Sequence, residues 1–286
     1  MSALENLVGR IYGPFDVEAS RDRVAEFADV TGDDPGRWSE HVPPLFANAA
    51  LFSVAPAFLE DPAVVPFTTS LIHSEQAFEW HRALAVGERL RVSGEVAAVR
   101  ARGPLNLVTF GLRAQADAGE WLAGEAVFLM SDSAAAEASE EAEPPVDLCP
   151  AVDGPVVQRP LPDEGAVVEE LRCGASRNDL VRYAAATRDW NPIHWDHDSA
   201  VAAGLPGTIV HGLLMAAWMA RVAARYSASP RPLTSMSLRF RKLLRPGVAA
   251  AVTGSVAAVA TDGADLDLAL VSAGDRLVTG RARVTR

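Results

Sequence analysis

Residues Thr187–Trp218, TRDWNPIHWDHDSAVAAGLPGTIVHGLLMAAW, contain an acidic and an imidazole side chain five residues apart, Asp189 and His194, with Asn191-Pro192 between them. Proline fixes its own φ and keeps the preceding residue out of the helical region. The two side chains are therefore predicted on a bent loop instead of on one helical face. A bend of this kind can aim both of them at one point.

The apolar run that follows predicts a long helix, which we expect to begin at Thr208 and to end near Tyr226. His211 and Gly212 then fall in its first turn, where backbone N–H groups lack intrahelical partners and the helix dipole favours negative charge. The N–H of a glycine is also open to a ligand oxygen. One short segment thus offers an acid, a base and an oxyanion-type donor.

The pattern D-x-N-P-I-H, followed by T-I-V-H-G-L-L, resembles the motif of the MaoC-like or (R)-specific enoyl-thioester hydratases and dehydratases. The resemblance implies the hot-dog fold. It also implies that Asp189 and His194 hold and activate a water molecule, and that the Gly212 amide polarises the thioester carbonyl. Taken alone, Asp-x-Asn-Pro is also the pattern of a turn that caps a helix. The histidine at its fixed distance favours the catalytic interpretation.

Two further residues are assigned supporting roles. Asn191 is expected to brace the loop, and His211 to belong to the helix start or to a dimer contact. The run H-x-D-H at His194–His197 does not make a convincing metal motif. We therefore expect neither a metal nor another cofactor, and the acyl-CoA or phosphopantetheine thioester is the substrate. His197 itself has no partner that the sequence suggests.

The second half of the chain repeats the first, which predicts two copies of one fold. Ser20–Trp38 aligns with Ser176–His194 at an offset of 156 residues. His81–Val99 aligns with Arg241–Val259 at an offset of 160 residues, with eight of nineteen positions identical. The predicted fold class is α+β, a double hot-dog in which each repeat wraps an antiparallel sheet around a central helix.

The first copy lacks the predicted base. Asp33 aligns with Asp189, but Trp38 stands where His194 stands. We expect the N-terminal copy to be catalytically degenerate and to shape the acyl pocket, a division of labour that the resemblance to fused double hot-dog hydratases implies. The predicted domains are an N-terminal hot-dog domain over 1–132, an acidic Ala/Pro-rich linker over 133–165, and a C-terminal MaoC-like domain over 166–286.

Turn signals and periodicity define the elements within each copy. The predicted helices are Ser20–Val30, Pro44–Leu59, Ser176–Thr187 and Thr208–Tyr226. The predicted strands are Leu71–Trp80, Leu90–Val99, Leu107–Ala116, Trp121–Met130, Ser235–Leu243, Val248–Ala260, Leu266–Ser272 and Arg276–Val284.

Composition excludes several classes of protein. A net charge of -11 argues against a nucleic-acid partner, and no segment is long and apolar enough to span a membrane. Cys149 and Cys173 form no metal or redox spacing, so free thiols in a reducing compartment are expected. The N-terminal sequence lacks the features of a signal peptide. The expected location is the cytoplasm, with a pseudo-dimer inside one chain and a homodimer of chains left open.

The expected function is (R)-specific hydration of 2-enoyl thioesters, or dehydration of 3-hydroxyacyl thioesters, on coenzyme A or acyl carrier protein in fatty-acid or related acyl metabolism. Two alternatives stay open, a hot-dog acyl-CoA thioesterase and a non-catalytic acyl-thioester-binding subunit. A basic cluster near Arg245 could meet carrier phosphates or simply be solvated. Its members are Arg239, Arg241, Lys242 and Arg245.

Overall fold

The computed structural model describes residues 4–133 and 138–286. The first half contains β1 Ile11–Glu18, α1 Arg21–Val30, α2 Ala47–Leu59, β2 Ser70–Trp80, β3 Arg89–Arg102, β4 Leu105–Ala116 and β5 Gly119–Ser131. The second half contains β6 Leu171–Cys173, α3 Arg177–Thr187, α4 His197–Ala202, α5 Gly212–Ala224, β7 Leu233–Phe240, β8 Ala250–Ala260, β9 Gly263–Ser272 and β10 Asp275–Thr285.

All ten strands form one antiparallel sheet in the order β1-β3-β4-β5-β2-β7-β10-β9-β8-β6. This order reads the same from either end once each strand is replaced by its counterpart in the other repeat. The two halves meet where β2 pairs with β7 over five residue pairs, from Glu75 opposite Arg239 to Glu79 opposite Ser235. The predicted double hot-dog fold is confirmed, and one chain forms a pseudo-dimer.

The two central helices explain why the sheet wraps around them. From Leu213 to Ala224 every residue of α5 is buried, and most of α2 is buried as well. A helix that is apolar on nearly every face is stable only when protein surrounds it. Met215, Trp218 and Met219 lie in this core, as plain packing predicts, with at most 3% of each exposed. Within the described residues, no helix combines the length and apolar character needed to cross a membrane.

The predicted strands are confirmed to within a few residues, whereas three short elements were missed. The N-terminal arm includes β1, which pairs with β3, and the second half opens with the three-residue strand β6. The six-residue helix α4 follows the predicted catalytic loop. The elements β6 and α4 are too short to carry a clear hydrophobic period, and β1 is exposed along most of its length, which explains why the sequence did not indicate them.

The predicted start of the second central helix at Thr208 was wrong, because α5 begins at Gly212. Three long-range hydrogen bonds hold the preceding segment in an extended form. The Thr208 N–H donates to Glu143, the Ile209 carbonyl accepts from the His194 ring, and the Val210 N–H donates to the Leu244 carbonyl. These contacts fix the path of residues 208–210 ahead of α5.

The predicted acidic linker connects β5 to β6. Residues 134–137 of it lie outside the described residues, and most of the following stretch is exposed. It is nevertheless tied down, since Ala138 N–H donates to the Gly204 carbonyl and Glu141 N–H to the Pro206 carbonyl. The predicted domain limits at 132 and 165 remain a prediction.

Close strand packing in the second half predicts that a side chain at Gly280 in β10 destabilises the protein. A Cβ there would lie 2.5 Å from the Ser237 carbonyl oxygen of β7, which is backbone and cannot turn aside. Gly280→Ala is expected to lower the free energy of unfolding by about 1–3 kcal/mol in urea denaturation. Gly111→Ala in β4 is the matched control, because its nearest neighbour would be 3.7 Å away. Equal stability of the two variants would contradict the packing described.

Candidate active site

Helix α3 delivers the chain to the site through well-defined ends. At its start, the Ser176 hydroxyl accepts from the Asp179 N–H at 3.2 Å, and the Asp179 carboxylate accepts from the Ser176 N–H at 2.9 Å. This capping box confirms the predicted cap. At its end, Arg188 adopts a left-handed conformation with φ of 68°. That turn carries Asp189 off the helix axis.

The Asn191-Pro192 bend behaves as the sequence predicts. The Asn191 side chain accepts from the Ile193 N–H at 3.4 Å, and a single 3-10 turn covers Pro192–His194. The bend brings His194 back toward Asp189. Asn191 therefore braces the loop through this hydrogen bond, and its supporting role in the site stays a prediction.

Asp189, His194 and His211 converge in the interior. One ligand atom from each of the three side chains lies within 4.8 Å of the others. The exposed fractions are 5% for Asp189, 7% for His194 and 0% for His211. The rings of His194 and His211 stack with centroids 3.7 Å apart and an interplanar angle of 24°. His211 was predicted at the helix start, and it lies there directly before α5.

Backbone carbonyls fix the tautomers of both histidines. His194 Nδ1 lies 2.8 Å from the Ile209 carbonyl oxygen, and His211 Nε2 lies 3.3 Å from the Asp189 carbonyl oxygen. Because a carbonyl oxygen only accepts, these two nitrogens carry the protons. His194 Nε2 and His211 Nδ1 are left as unprotonated acceptors. His211 Nδ1 is buried without a hydrogen-bond partner among the described residues.

Burial sets the charge state of the cluster. It raises the pKa of Asp189 to about 7 and lowers the pKa of His194 to about 4. The pKa of His211 is lowered well below its usual range, first by burial and then by the neighbouring His194. Near neutral pH both rings are therefore neutral, and Asp189 exists in both its protonated and its ionised form.

One carboxylate and two imidazoles are a donor set that metals use, but the geometry does not suit one. Two imidazoles bound to one ion point inward from separate corners of its coordination shell, so their rings diverge. Here the rings of His194 and His211 lie nearly face to face. The arrangement fits a hydrogen-bonding cluster, and the absence of a cofactor stays a prediction.

The amide of Gly212 begins α5 next to this cluster. Within the described residues, its N–H has no hydrogen-bond partner, as expected for the first residue of a helix. A Cβ at this position would lie 3.4 Å from the Phe240 ring, so the amide has an aromatic neighbour. The amide is a donor that a bound oxygen can use.

Glu143 from the predicted linker holds the backbone beside the site, a role that the sequence did not indicate. Its carboxylate accepts from the Thr208 N–H at 2.7 Å and from the Thr208 hydroxyl at 2.6 Å. It also contacts His197 Nδ1 at 2.7 Å, Arg177 Nε at 3.2 Å and Arg245 Nη2 at 3.3 Å. Among so many acidic residues nearby, nothing in the sequence distinguishes this one.

These contacts correct two sequence interpretations. His197 is partnered, since its ring contacts both Glu143 and Glu140. Arg245 is not a solvated member of a basic cluster, because it is 9% exposed and bound to Glu143. Most of the rest of that cluster is also paired, with Arg239 on Glu75, Lys242 on Asp275 and Arg241 on the Thr279 hydroxyl.

The equivalent position in the first half is closed by a hydrogen bond. Trp38 Nε1 donates to Asp33 Oδ2 at 2.8 Å, and both side chains are buried. Trp38 thus occupies the place of His194 and satisfies the carboxylate with a donor that titrates at no ordinary pH. The geometry agrees with the expected loss of the base in this half.

Comparison with known proteins also distinguishes the two halves of the chain. The family described as MaoC like domain matches residues 157–267, and the family described as FAS1-like, dehydratase domain region, matches residues 6–124. The second half of the chain is thus a MaoC-like dehydratase domain, and the first half matches a FAS1-like dehydratase region. The matched segment of the MaoC-like domain contains the Asp189, His194 and Gly212 positions.

Two curated relatives illustrate the range of similarity. A mitochondrial 3-hydroxyacyl-[acyl-carrier-protein] dehydratase of Arabidopsis thaliana is 35% identical over 86 residues, which cover 30% of this chain and 51% of that protein. The match therefore spans about half of that relative's length. A UPF0336 protein of Streptomyces avermitilis is 28% identical over 133 residues, covering 42% of this chain and 89% of the relative.

Solved structures share the whole architecture. A MaoC-like dehydratase superposes with a TM-score of 0.80 at 21% identity, covering 99% of both chains. A Mycobacterium tuberculosis protein described as having a double hotdog fold gives 0.68 at 16% identity, covering 99% of this chain and 97% of that one. The peroxisomal multifunctional enzyme type 2 of Drosophila melanogaster superposes with a TM-score of 0.69 at 18% identity, covering 96% of this chain and 48% of that one. At these identities the likeness concerns the fold alone.

The raised pKa of Asp189 predicts a stability change for Asp189→Asn. The pKa of Asp189 is near 4 in the unfolded chain and about 7 in the folded protein. Its contribution to the free energy of unfolding is therefore fully present below pH 4 and is lost as the pH rises to about 7. The neutral amide avoids this loss. The variant is expected to match the wild type near pH 4 and to exceed it at pH 8 by up to about 4 kcal/mol. Urea denaturation at both pH values measures the difference, and an equal difference at both would contradict the assignment.

Glu143→Gln tests the contacts that hold the Thr208 segment. Burial tends to raise the pKa of Glu143, but hydrogen bonds from Thr208 and His197 outweigh it and lower the pKa to about 2. The contribution of Glu143 to the free energy of unfolding is therefore present above pH 4.5, which is near its pKa in the unfolded chain, and is lost as the pH falls toward 2. At pH 7 the variant should lose about 1.5–3 kcal/mol of stability, a difference that shrinks in acid.

Glu141→Gln is the matched control, because Glu141 lies in the same segment with 63% of its side chain exposed. Its stability in urea denaturation should equal that of the wild type. A similar loss in both variants would show that general acidity, not the Glu143 contacts, stabilises this segment.

Proposed function

We propose that the chain catalyses the (R)-specific hydration of 2-enoyl thioesters and the reverse dehydration of 3-hydroxyacyl thioesters. The observation that carries this proposal is the convergence of Asp189 and His194 next to a helix that begins with the unpaired Gly212 amide. The match of residues 157–267 to the MaoC like domain supports the same reaction class.

Hydration makes three demands on a site. A base must receive a proton from water, a proton must be delivered to Cα, and the negative charge that develops on the thioester oxygen must be stabilised. His194 Nε2 is an unprotonated acceptor, and Asp189 has a pKa of about 7. The pair can therefore take one proton and return another near neutral pH.

In the proposed reaction, one water molecule binds to both side chains. Its oxygen forms a bond to Cβ while one of its protons passes to the pair, and the C=C electron pair moves toward the thioester carbonyl. A proton from the same pair then bonds to Cα on the same face, so the addition is syn. Dehydration runs through the same steps in reverse.

The Gly212 N–H is proposed to donate a hydrogen bond to the thioester oxygen. A donor aimed at the point where negative charge develops is worth on the order of 100-fold in rate, because it is oriented before the reaction starts. The positive end of the α5 dipole adds to the same effect. The Gly212 position allows close approach, since it has no side chain over the amide.

The carrier of the acyl group is proposed to be coenzyme A or the phosphopantetheine of acyl carrier protein. The Arabidopsis relative is a 3-hydroxyacyl-[acyl-carrier-protein] dehydratase, which supports a carrier protein for that relative. The degenerate first half is proposed to shape the acyl pocket. Cys149 and Cys173 are both free thiols, which supports the proposed cytoplasmic location. The reaction is proposed to belong to fatty-acid or related acyl metabolism.

Asp189→Asn and His194→Ala are each expected to lower the turnover number by at least about 100-fold, because each removes a group that moves the proton. Crotonyl-CoA and the crotonyl thioester of acyl carrier protein serve as substrates. Loss of enoyl absorbance measures hydration, and a thiol reagent run in parallel measures thioester cleavage.

Asp33→Asn is the matched control, since Asp33 is the counterpart of Asp189 in the other repeat and, among the described residues, its hydrogen bonds stay within its own half. Its turnover should stay near that of the wild type. Thiol release by the wild-type protein would indicate the thioesterase instead. No reaction with either substrate would favour a non-catalytic binding subunit.

A further inference from the structure

Asn48 is a buried amide in an otherwise hydrocarbon environment. It is the second residue of α2, whose sequence is ANAALFSVAPAFL, and none of its surface is exposed. Buried amides are normally held by hydrogen bonds, because an unpaired polar group in the interior lowers stability. The partners of Asn48 therefore indicate what the residue does.

Both partners of Asn48 lie in the other half of the molecule. Its Nδ2 donates to the Tyr183 hydroxyl at 2.8 Å and to the Leu213 carbonyl at 3.2 Å. The carbonyl can only accept, which fixes the orientation of the amide. Asn48 Oδ1 is then buried without a partner among the described residues. Such an unpaired acceptor costs about 1–3 kcal/mol of stability.

The repeat shows that the fold does not need this amide. The residue that corresponds to Asn48 in α5 is Leu213, the second residue of that helix. Tyr183 corresponds to Phe27 by the offset of 156 residues, and His211, which precedes α5, corresponds to Phe46, which precedes α2. At the Phe27 and Phe46 positions the first half thus uses hydrocarbon side chains where the second half uses polar ones, whereas Asn48 is the polar member of its own pair.

The ring contacts at these positions are similar in the two halves. Phe27 and Phe46 pack with centroids 5.8 Å apart, and Tyr183 and His211 pack with centroids 4.8 Å apart. Only the second set lies beside Asp189. The polar residues therefore follow the candidate site and not the packing of the repeat.

A chain of contacts leads from Asn48 to the candidate catalytic groups. The Tyr183 ring packs on His211, and the His211 ring stacks on His194 at 3.7 Å. His211 Nε2 also donates to the Asp189 carbonyl. The second acceptor of Asn48, the Leu213 carbonyl, belongs to the residue after Gly212. Asn48 thus holds both the aromatic stack and the first turn of α5.

We propose that Asn48 is a positioning residue that the N-terminal half contributes to the site of the C-terminal half. It fixes the Tyr183 ring and the first turn of α5, and through them the His211–His194 stack and the Gly212 amide. The inference rests on the proposed hydratase function. It also changes the role of the degenerate half, which supplies a polar contact as well as an acyl pocket.

Asn48→Leu tests the proposal by placing at Asn48 the residue that its counterpart carries. The turnover number for hydration should fall at least about 10-fold with a smaller change in KM, because the reacting groups are displaced while the acyl pocket is kept. Stability in urea should change little, because the unpaired Asn48 Oδ1 is removed while the buried Tyr183 hydroxyl loses its partner, and these two opposing effects are of similar size. A residue with a merely structural role would instead lose stability and keep its turnover per folded molecule.

Two further variants define the route of the effect. Tyr183→Phe removes one of the two contacts of Asn48, so turnover should fall, and the double variant with Asn48→Leu should lose less than the two single losses combined. Ser53→Ala is the matched control, because the Ser53 hydroxyl bonds to the Ala50 carbonyl within the same helix at 2.6 Å. Its turnover should equal that of the wild type. Additive losses in the double variant would overturn the proposed route.

Nitrogen NMR of the histidine side chains provides a readout that does not depend on activity. The His194 and His211 signals should move in Asn48→Leu and stay in place in Ser53→Ala. Unmoved signals in Asn48→Leu overturn the proposal whether or not the wild type hydrates enoyl thioesters. Moved signals in a protein that performs no hydration would contradict the proposed function and leave the positioning of the histidines by Asn48 supported.

Discussion

The antiparallel pairing of β2 with β7 is the constraint on which the rest of the molecule depends. It joins two five-stranded sheets into one, and the start of α2 bonds to the start of α5, where Asn48 donates to the Leu213 carbonyl. Because of this arrangement α1 also meets α3, where Arg182 bonds to Glu26 and Asp29 and Phe27 lies near Tyr183. The polar residues of the candidate site lie in the apolar region between the two halves, where burial shifts their pKa values.

The sequence predicted the architecture well because the repeat and the hydrophobic pattern are properties of the chain itself. Eight strands and four helices were predicted to within a few residues, and the bend at Asn191-Pro192 was correct because proline acts locally. The start of α5 was predicted wrongly because contacts from Glu143, His194 and Leu244 decide it. Such contacts join residues far apart in the chain, and no local pattern records them.

Some features of the candidate site could likewise be predicted from the sequence, and others depend on tertiary contacts. The convergence of Asp189 and His194 could be predicted from spacing, but their protonation states could not, since burial causes them. The stacking of His211 on His194 could not be predicted from the sequence, because it is a tertiary contact. Asn48 left one faint signal, an amide near the start of an apolar helix, but the sequence does not say that its partners lie in the other half. These residues depend on how the two repeats are assembled.

Covalent fusion of the repeats explains why Asn48 can exist at all. In a symmetric homodimer of hot-dog subunits, every substitution appears twice, so an amide introduced in one central helix would also appear in the other. Here Asn48 faces Leu213, and the Asp33–Trp38 pair coexists with Asp189 and His194. A single gene that encodes both copies can therefore specialise one copy for chemistry and the other for support, a freedom that identical subunits do not have.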